Sequence, residues 1–227
     1  MKRGEKTVLA EKKRRFASLM LDWFEENKRC FPWRPPVLPY RAAIAEIMLQ
    51  KTSSTNALPV YKKFIGRYPT VEELADASAE AVSEMLQPLG LPRRATLIYQ
   101  MAREVVARYG GKFPESENEL RKLPGIGPYG AGAIASQAFG KRAPMIDINV
   151  MRIFHRVFST PYKPRNAPTK SFREFVLSTI PEGEEARFNL ALLDFGALVC
   201  TSRNPKCEIC PMSAFCDYYQ ASWSDVR

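Results

Sequence analysis

Residues 123–130 read Leu-Pro-Gly-Ile-Gly-Pro-Tyr-Gly, a turn-forming stretch wedged between two helical patterns. Pro124 ends the helix expected over 117–122, because proline lacks an N–H and its ring collides with the preceding turn. Gly125 and Gly127 tolerate positive φ, and Pro128 suits the first turn of the next helix. The expected result is two short antiparallel helices joined by a tight hairpin. Such a hairpin leaves backbone N–H groups bare at the positive end of the second helix, a ready site for a phosphate oxygen. An ordinary helix–turn–helix corner accounts for the same residues, and at this point both readings stand.

The rest of the chain fits an all-α protein. Phe16, Leu19, Met20, Trp23 and Phe24 fall on one face of a helix. Helical patterns follow at 41–53, 57–67, 71–77, 79–87 and 93–109, broken by Pro59, Pro69 and the Pro-Leu-Gly-Leu-Pro run at 88–92. Residues 29–40 hold four prolines and are expected as a structured loop. Ser116 and Glu119 have the spacing of a capping box. No alternating run long enough for a sheet occurs, nor any repeat. No apolar run approaches the ~20 residues of a membrane span. The basic start lacks the apolar stretch of a secretory signal, so a cytoplasmic protein is expected.

Net charge is +10, from 34 basic and 24 acidic residues. The first fifteen residues hold seven basic and two acidic side chains and supply +5 of it. This stretch reads as a solvated tail or as an arm for a polyanion, since each phosphate contact releases counterions.

Cys200, Cys207, Cys210 and Cys216 crowd four thiols into seventeen residues with the spacing C-x6-C-x2-C-x5-C. Disulfides are disfavoured in a reducing compartment, which leaves a metal site. Only one C-x2-C knuckle is present, whereas structural zinc sites usually pair two, and four thiolates on one loop also suit a 4Fe–4S cube. Zinc and iron–sulfur both remain open on spacing alone. Cys30 stands apart and is expected as a buried small hydrophobe. A helix is expected from Ile148 with Asp147 at its N-cap, where the positive helix end favours a carboxylate. Such a carboxylate can serve as a simple cap, stabilise a developing positive charge or orient a water. His155, the single histidine, is expected in core packing or at a phosphate.

Together the hairpin "LPGIGPYGAGAI", the aspartate eighteen residues past Tyr129 and the four-cysteine loop resemble the helix–hairpin–helix DNA glycosylase superfamily. They are similar to its iron–sulfur branch, which holds endonuclease III and the adenine glycosylase MutY. The resemblance runs from Phe31 to Cys216 and implies a 4Fe–4S cluster on Cys200, Cys207, Cys210 and Cys216. It further implies a two-lobed fold, with a six-helix barrel at 31–141 and a cluster domain from 1–30 plus 142–227. The partner implied is double-stranded DNA containing a mismatched or damaged base, bound by a monomeric, nucleoid-associated protein. The base would flip into the cleft between lobes. The hairpin, through Gly125 and Gly127, would grip the backbone, with a monovalent cation beside it. Arg203 and Lys206 on the cluster loop would reach phosphates.

Tyr129 stands where bifunctional relatives carry a lysine whose amine attacks the sugar. A phenol has no amine with which to form a Schiff base. The resemblance therefore implies a monofunctional glycosylase in which Asp147 stabilises an oxocarbenium-like sugar and aids attack by water. Tyr129 reads either as active or as a residue that fills the lysine's space. "FPWR" (31–34), "PY" (39–40) and "EIMLQKTSS" (46–54) resemble a pattern shared by MutY and thymine–DNA mismatch glycosylases. Glu46 stands at the glutamate that protonates adenine in MutY, yet the thymine enzymes carry a glutamate there too. "GLP" at 90–92 places a leucine, Leu91, where MutY wedges a tyrosine, and MutY's 8-oxoguanine domain is absent before the last residue, Arg227. These features favour thymine or uracil opposite guanine. Gln50 and Lys51, in "LQKT", resemble MutY instead and keep adenine excision as the alternative. Gln50 is expected to enter the space around the estranged base, with Lys51 also at the DNA. A non-catalytic DNA-binding module and a zinc-ribbon transcription factor are the competing classes. Asp147 and Glu46 would be idle in the first, and colourless protein would mark the second.

Overall fold

In the computed structural model, which describes residues 3–90, 92–163 and 166–224, helices form wherever the local caps allow. Side-chain oxygens accept the first free N–H at several starts: Ser53 from Asn56, Thr70 from Glu73, Ser78 from Ala81 and Thr169 from Phe172. Pro39 and Pro128 occupy first turns, where no N–H is needed. Twelve α-helices result among the described residues, with no strand: α1 Arg3–Asn27, α2 Pro39–Leu49, α3 Ser54–Arg67, α4 Val71–Ala75, α5 Ala79–Leu86, α6 Pro92–Tyr109, α7 Glu117–Leu120, α8 Pro128–Phe139, α9 Ile148–Phe158, α10 Lys170–Leu177, α11 Glu185–Leu198 and α12 Asp217–Ser224.

The chain divides into two compact units. One comprises residues 1–29 and 144–227, the other residues 30–143. In the second unit α2 packs on α3, α6 and α8, and α6 also receives α4 and α5. Its core is largely aliphatic, with Ile44, Ile47, Met48, Ile98 and Ile134 fully enclosed. Phe31 and Trp33 stack with ring centroids 4.9 Å apart, and Trp33 meets Tyr61 edge-on, so the proline-rich loop is tied to this core. In the first unit α1 and α9 pack on α11, around Phe16, Phe154, Phe188 and Phe195.

Several expectations are corrected. The basic start is the first half of α1 rather than a tail. Three of its cations are used internally: Lys12 pairs with Asp217, Lys13 Nζ lies 3.7 Å from the centre of the Phe175 ring, and Arg15 lies over Phe215. α3 starts at Ser54, three residues early, and runs through Pro59 because the Ser53 cap sets its beginning. α2 ends at Leu49 rather than 53, where Lys51 enters the left-handed region at φ 56°. No capping box forms at α7. The Ser116 side chain makes no cap bond, while Glu119 accepts from Tyr109 and Lys122 instead. Cys30 is exposed, not buried.

Candidate functional site

The hairpin belongs to the second unit and uses its two glycines differently. Gly125 has φ +80°, and a Cβ there would stand 2.9 Å from Ile47 Cδ1 and 3.2 Å from Leu97 Cβ. Only glycine meets both demands. Gly127 does not take positive φ as expected. It is the extended N-cap of α8, its carbonyl accepting from Ala131 N, and an added Cβ would meet nothing within 4 Å. Gly127 and Pro128 are exposed, while Tyr129, the second residue of α8, is half-buried.

Glu46 projects from α2 towards this helix start, since the Cβ of a residue at 130 would sit 3.7 Å from Glu46 Cβ. It is half-buried and makes no hydrogen bond or ion pair among the described residues. Loss of water around it pushes its carboxyl up to about 8, so it is largely protonated at neutral pH. Gln50, exposed one residue past α2, donates through Nε2 to Gly125 O at 2.9 Å. Lys51 beside it is exposed. The second unit thus gathers Glu46, Gln50, Gly125 and the start of α8, with Tyr129 on that start. Leu91 lies outside the described residues.

Asp147 belongs to the other unit and caps α9. Its Oδ1 accepts from Val150 N at 2.8 Å and its Oδ2 from Asn149 Nδ2 at 2.6 Å. The cap expectation is met through Oδ1, while Oδ2 is held by Asn149 and the side chain stays half-buried. Asn149 itself is backed by α11 at Gly196, where an added Cβ would come within 2.8 Å of Asn149 Cβ. Farther along α9, buried Arg152 donates to Cys200 O at 2.7 Å and Gly196 O at 2.9 Å. Arg156 donates to Cys200 Sγ at 3.4 Å and Thr201 O at 2.7 Å. Asn149, Arg152, Arg156 and Gly196 were not apparent as site residues in the sequence. The only signal was a pair of arginines four apart on a mainly apolar helix that also carries Asn149 and His155.

His155, also on α9, is exposed rather than in the core. Its Nδ1 lies 2.7 Å from Thr160 O and its ring stacks on Tyr162. Arg203 and Lys206 are exposed on the cysteine loop.

The four cysteines line one small pocket together with Val157, Phe195 and Val199. No three His, Cys, Asp or Glu side chains among the described residues are placed to share a single metal ion. Four thiols around one apolar space fit a cluster of several irons better than one zinc. Burial, reinforced by neighbouring thiolates, raises Cys207 and Cys216, and it raises Cys210 to about 12. Thiolates here need a positive centre, so loading the site releases protons.

The comparisons bear on both regions. A family model described as HhH-GPD superfamily base excision DNA repair protein matches residues 44–177. A second, the iron–sulfur binding domain of endonuclease III, matches residues 200–216, so the chain carries an iron–sulfur binding domain on the segment that bears the four thiols. The chain is 35% identical to a thymine/uracil-DNA glycosylase of Methanothermobacter thermautotrophicus over 211 residues, 92% of this chain and 96% of the relative. It is 36% identical to an adenine DNA glycosylase of Buchnera aphidicola subsp. Baizongia pistaciae, covering 90% of this chain and 58% of the relative. The solved structure of a thermostable thymine-DNA glycosylase superposes with a TM-score of 0.88 at 35% identity, covering 93% of this chain and 98% of that one. No described helix is long and apolar enough to cross a membrane.

Proposed function

The chain belongs to the HhH-GPD superfamily of base excision DNA repair proteins, and from that premise we propose that it is a monofunctional DNA glycosylase releasing thymine or uracil opposite guanine. The observation that carries the hydrolytic part is Asp147, whose two oxygens are held by Val150 N–H and Asn149 Nδ2 at the positive start of α9. A fixed carboxylate of this kind stabilises positive charge that develops only in the transition state. As the bond from C1′ to the base breaks, the electron pair leaves with the base and the sugar becomes oxocarbenium-like. Water then attacks C1′, and its proton passes to the Asp147 carboxylate and on to solvent.

Glu46, protonated at neutral pH, donates a hydrogen bond or its proton to the departing base. Tyr129 has no amine, so strand cleavage through a Schiff base is not expected. The hairpin at Gly125 and Gly127, with Gln50, Lys51 and Leu91, contacts the duplex of double-stranded DNA around the mismatch. A monovalent cation on hairpin carbonyls belongs to the same reading, as do a monomeric state, nucleoid association and a division of labour between a helical barrel and a cluster domain. The cluster fastens the loop on which Arg203 and Lys206 stand; the chemical step uses the chain's own carboxyl groups.

Support for thymine and uracil comes from the thymine/uracil relatives matched along nearly their whole lengths. Adenine excision is the second reading, favoured by the neutral Glu46 carboxyl, because a purine leaving group needs a proton. Alkali-developed cleavage assays on T·G, U·G and A·8-oxoguanine duplexes decide between them. Product from A·8-oxoguanine alone would reverse the assignment, and borohydride trapping of a protein–DNA adduct would overturn the monofunctional reading.

A further inference from the structure

The end of α2 depends on a residue from another helix. Gln50 N reaches Ile47 O at 3.4 Å and Thr52 N reaches Leu49 O at 3.2 Å. Met48 O, lying between them, instead accepts from Arg94 Nη1 at 2.6 Å. Arg94 is the third residue of α6 and is 3% exposed, although Pro92 and Arg93 beside it are exposed. Its Nε has no partner, and no acidic side chain among the described residues pairs with it. A buried guanidinium held in this way is a poor stabiliser, because desolvation is only partly offset. A cation is favourable, however, at the negative end of a helix. What Arg94 does achieve is geometric. It sets where α2 stops, just before the left-handed turn at Lys51 and the Gln50 side chain that clasps Gly125 O. Gly125 in turn rests on Ile47 of α2 and Leu97 of α6.

We propose that Arg94 is a positioning residue for lesion recognition, capping α2 from α6 so that Gln50 and the hairpin keep one fixed spacing. The inference rests on the reading of Gln50 and the hairpin as DNA contacts. Loss of Arg94 then costs discrimination between damaged and intact DNA rather than general DNA affinity.

The test measures binding of a duplex with a tetrahydrofuran abasic analogue and of the same duplex intact, by fluorescence anisotropy. It compares wild type, Arg94→Met, Arg94→Lys, Gln50→Ala and the Arg94→Met/Gln50→Ala double variant, with melting and visible cluster absorbance as fold controls. Arg94→Met is expected to lose about tenfold of the preference for the abasic duplex, with intact-duplex affinity within about twofold, as misplacement by a fraction of an ångström implies. Arg94→Lys, which keeps the charge, is expected to regain part of the loss. In the Gln50→Ala background, Arg94→Met is expected to change the preference less than about twofold, because the two residues act as one unit. An unchanged preference in Arg94→Met, an equal drop on both duplexes, or effects that add independently with Gln50→Ala would overturn the proposal. Should Arg94→Met fail to fold, an unaltered preference in Arg94→Lys overturns it equally. Wild-type protein with no preference for the abasic duplex would instead sink the underlying reading.

Discussion

The two units bury different things and depend on different chemistry. The unit of residues 30–143 closes on itself with small and aliphatic side chains: Ala42, Ala43, Ile44 and Ile47 of α2 lie in one core with Ala131, Ile134 and Ala135 of α8. Gly125 allows the hairpin to sit against Ile47, and Arg94 takes the Met48 carbonyl at the end of α2. The other unit has an aromatic centre, in which Phe16 meets Phe154, Phe158 and Phe188 at centroid distances of 5.2–6.1 Å. Its C-terminal loop, however, consists of short 3-10 turns around four thiols, of which Cys200 and Cys216 are buried and Cys207 and Cys210 half-buried. Thiols pushed up by burial offer such a loop no charge pairing, and the role proposed above for the iron–sulfur cluster is to fasten it. On that reading one region is self-sufficient, while the other delegates part of its cohesion to a bound group.

The sharpest way to separate fold from chemistry is Asp147→Asn. Asparagine still caps a helix, so melting should be unchanged, whereas single-turnover base release should fall about a thousandfold. Cys210→Ala probes the delegated cohesion. Visible absorbance should vanish and hydrogen exchange should quicken about a hundredfold across the 200–216 loop, with α2 and α8 unaffected. Equal acceleration in both units would break the comparison.

Glu46 tests the self-sufficient unit. Burial pushes its carboxyl from the ordinary 4.5 up to about 8 in the folded state, so the folded state binds the extra proton between those values. Unfolding free energy from this group therefore falls as pH rises through that window, and Glu46→Gln should flatten the slope in urea midpoints measured at each pH. Base release in the wild type should also drop about tenfold per unit above pH 8, a limb absent in the variant.

Paired glycine substitutions give smaller effects, one in each unit. Gly125→Ala and Gly196→Ala should each cost about 1–3 kcal/mol in urea unfolding, the first through positive φ and Ile47, the second through Asn149. Gly196→Ala should also slow base release, since Asn149 holds Asp147. Gly127→Ala should leave stability within about 0.5 kcal/mol, because its backbone is extended and nothing stands near an added Cβ.

Features that depend on a few neighbouring residues were legible in the sequence by itself. The hairpin, the start of α9 at Ile148 with Asp147 as its cap, the all-helical class and the four-thiol loop all follow from turn chemistry, caps and spacing. Tertiary structure alone decided that the basic start is helix, that Gly125 but not Gly127 is left-handed, and that α2 ends under Arg94. It alone set the protonated state of Glu46 and the grip of Asn149, Arg152 and Arg156 on Asp147 and the cysteine loop. The reason is physical: caps and turns are satisfied within about four residues, whereas desolvation and carbonyl capping from another helix sum over atoms brought close only by packing.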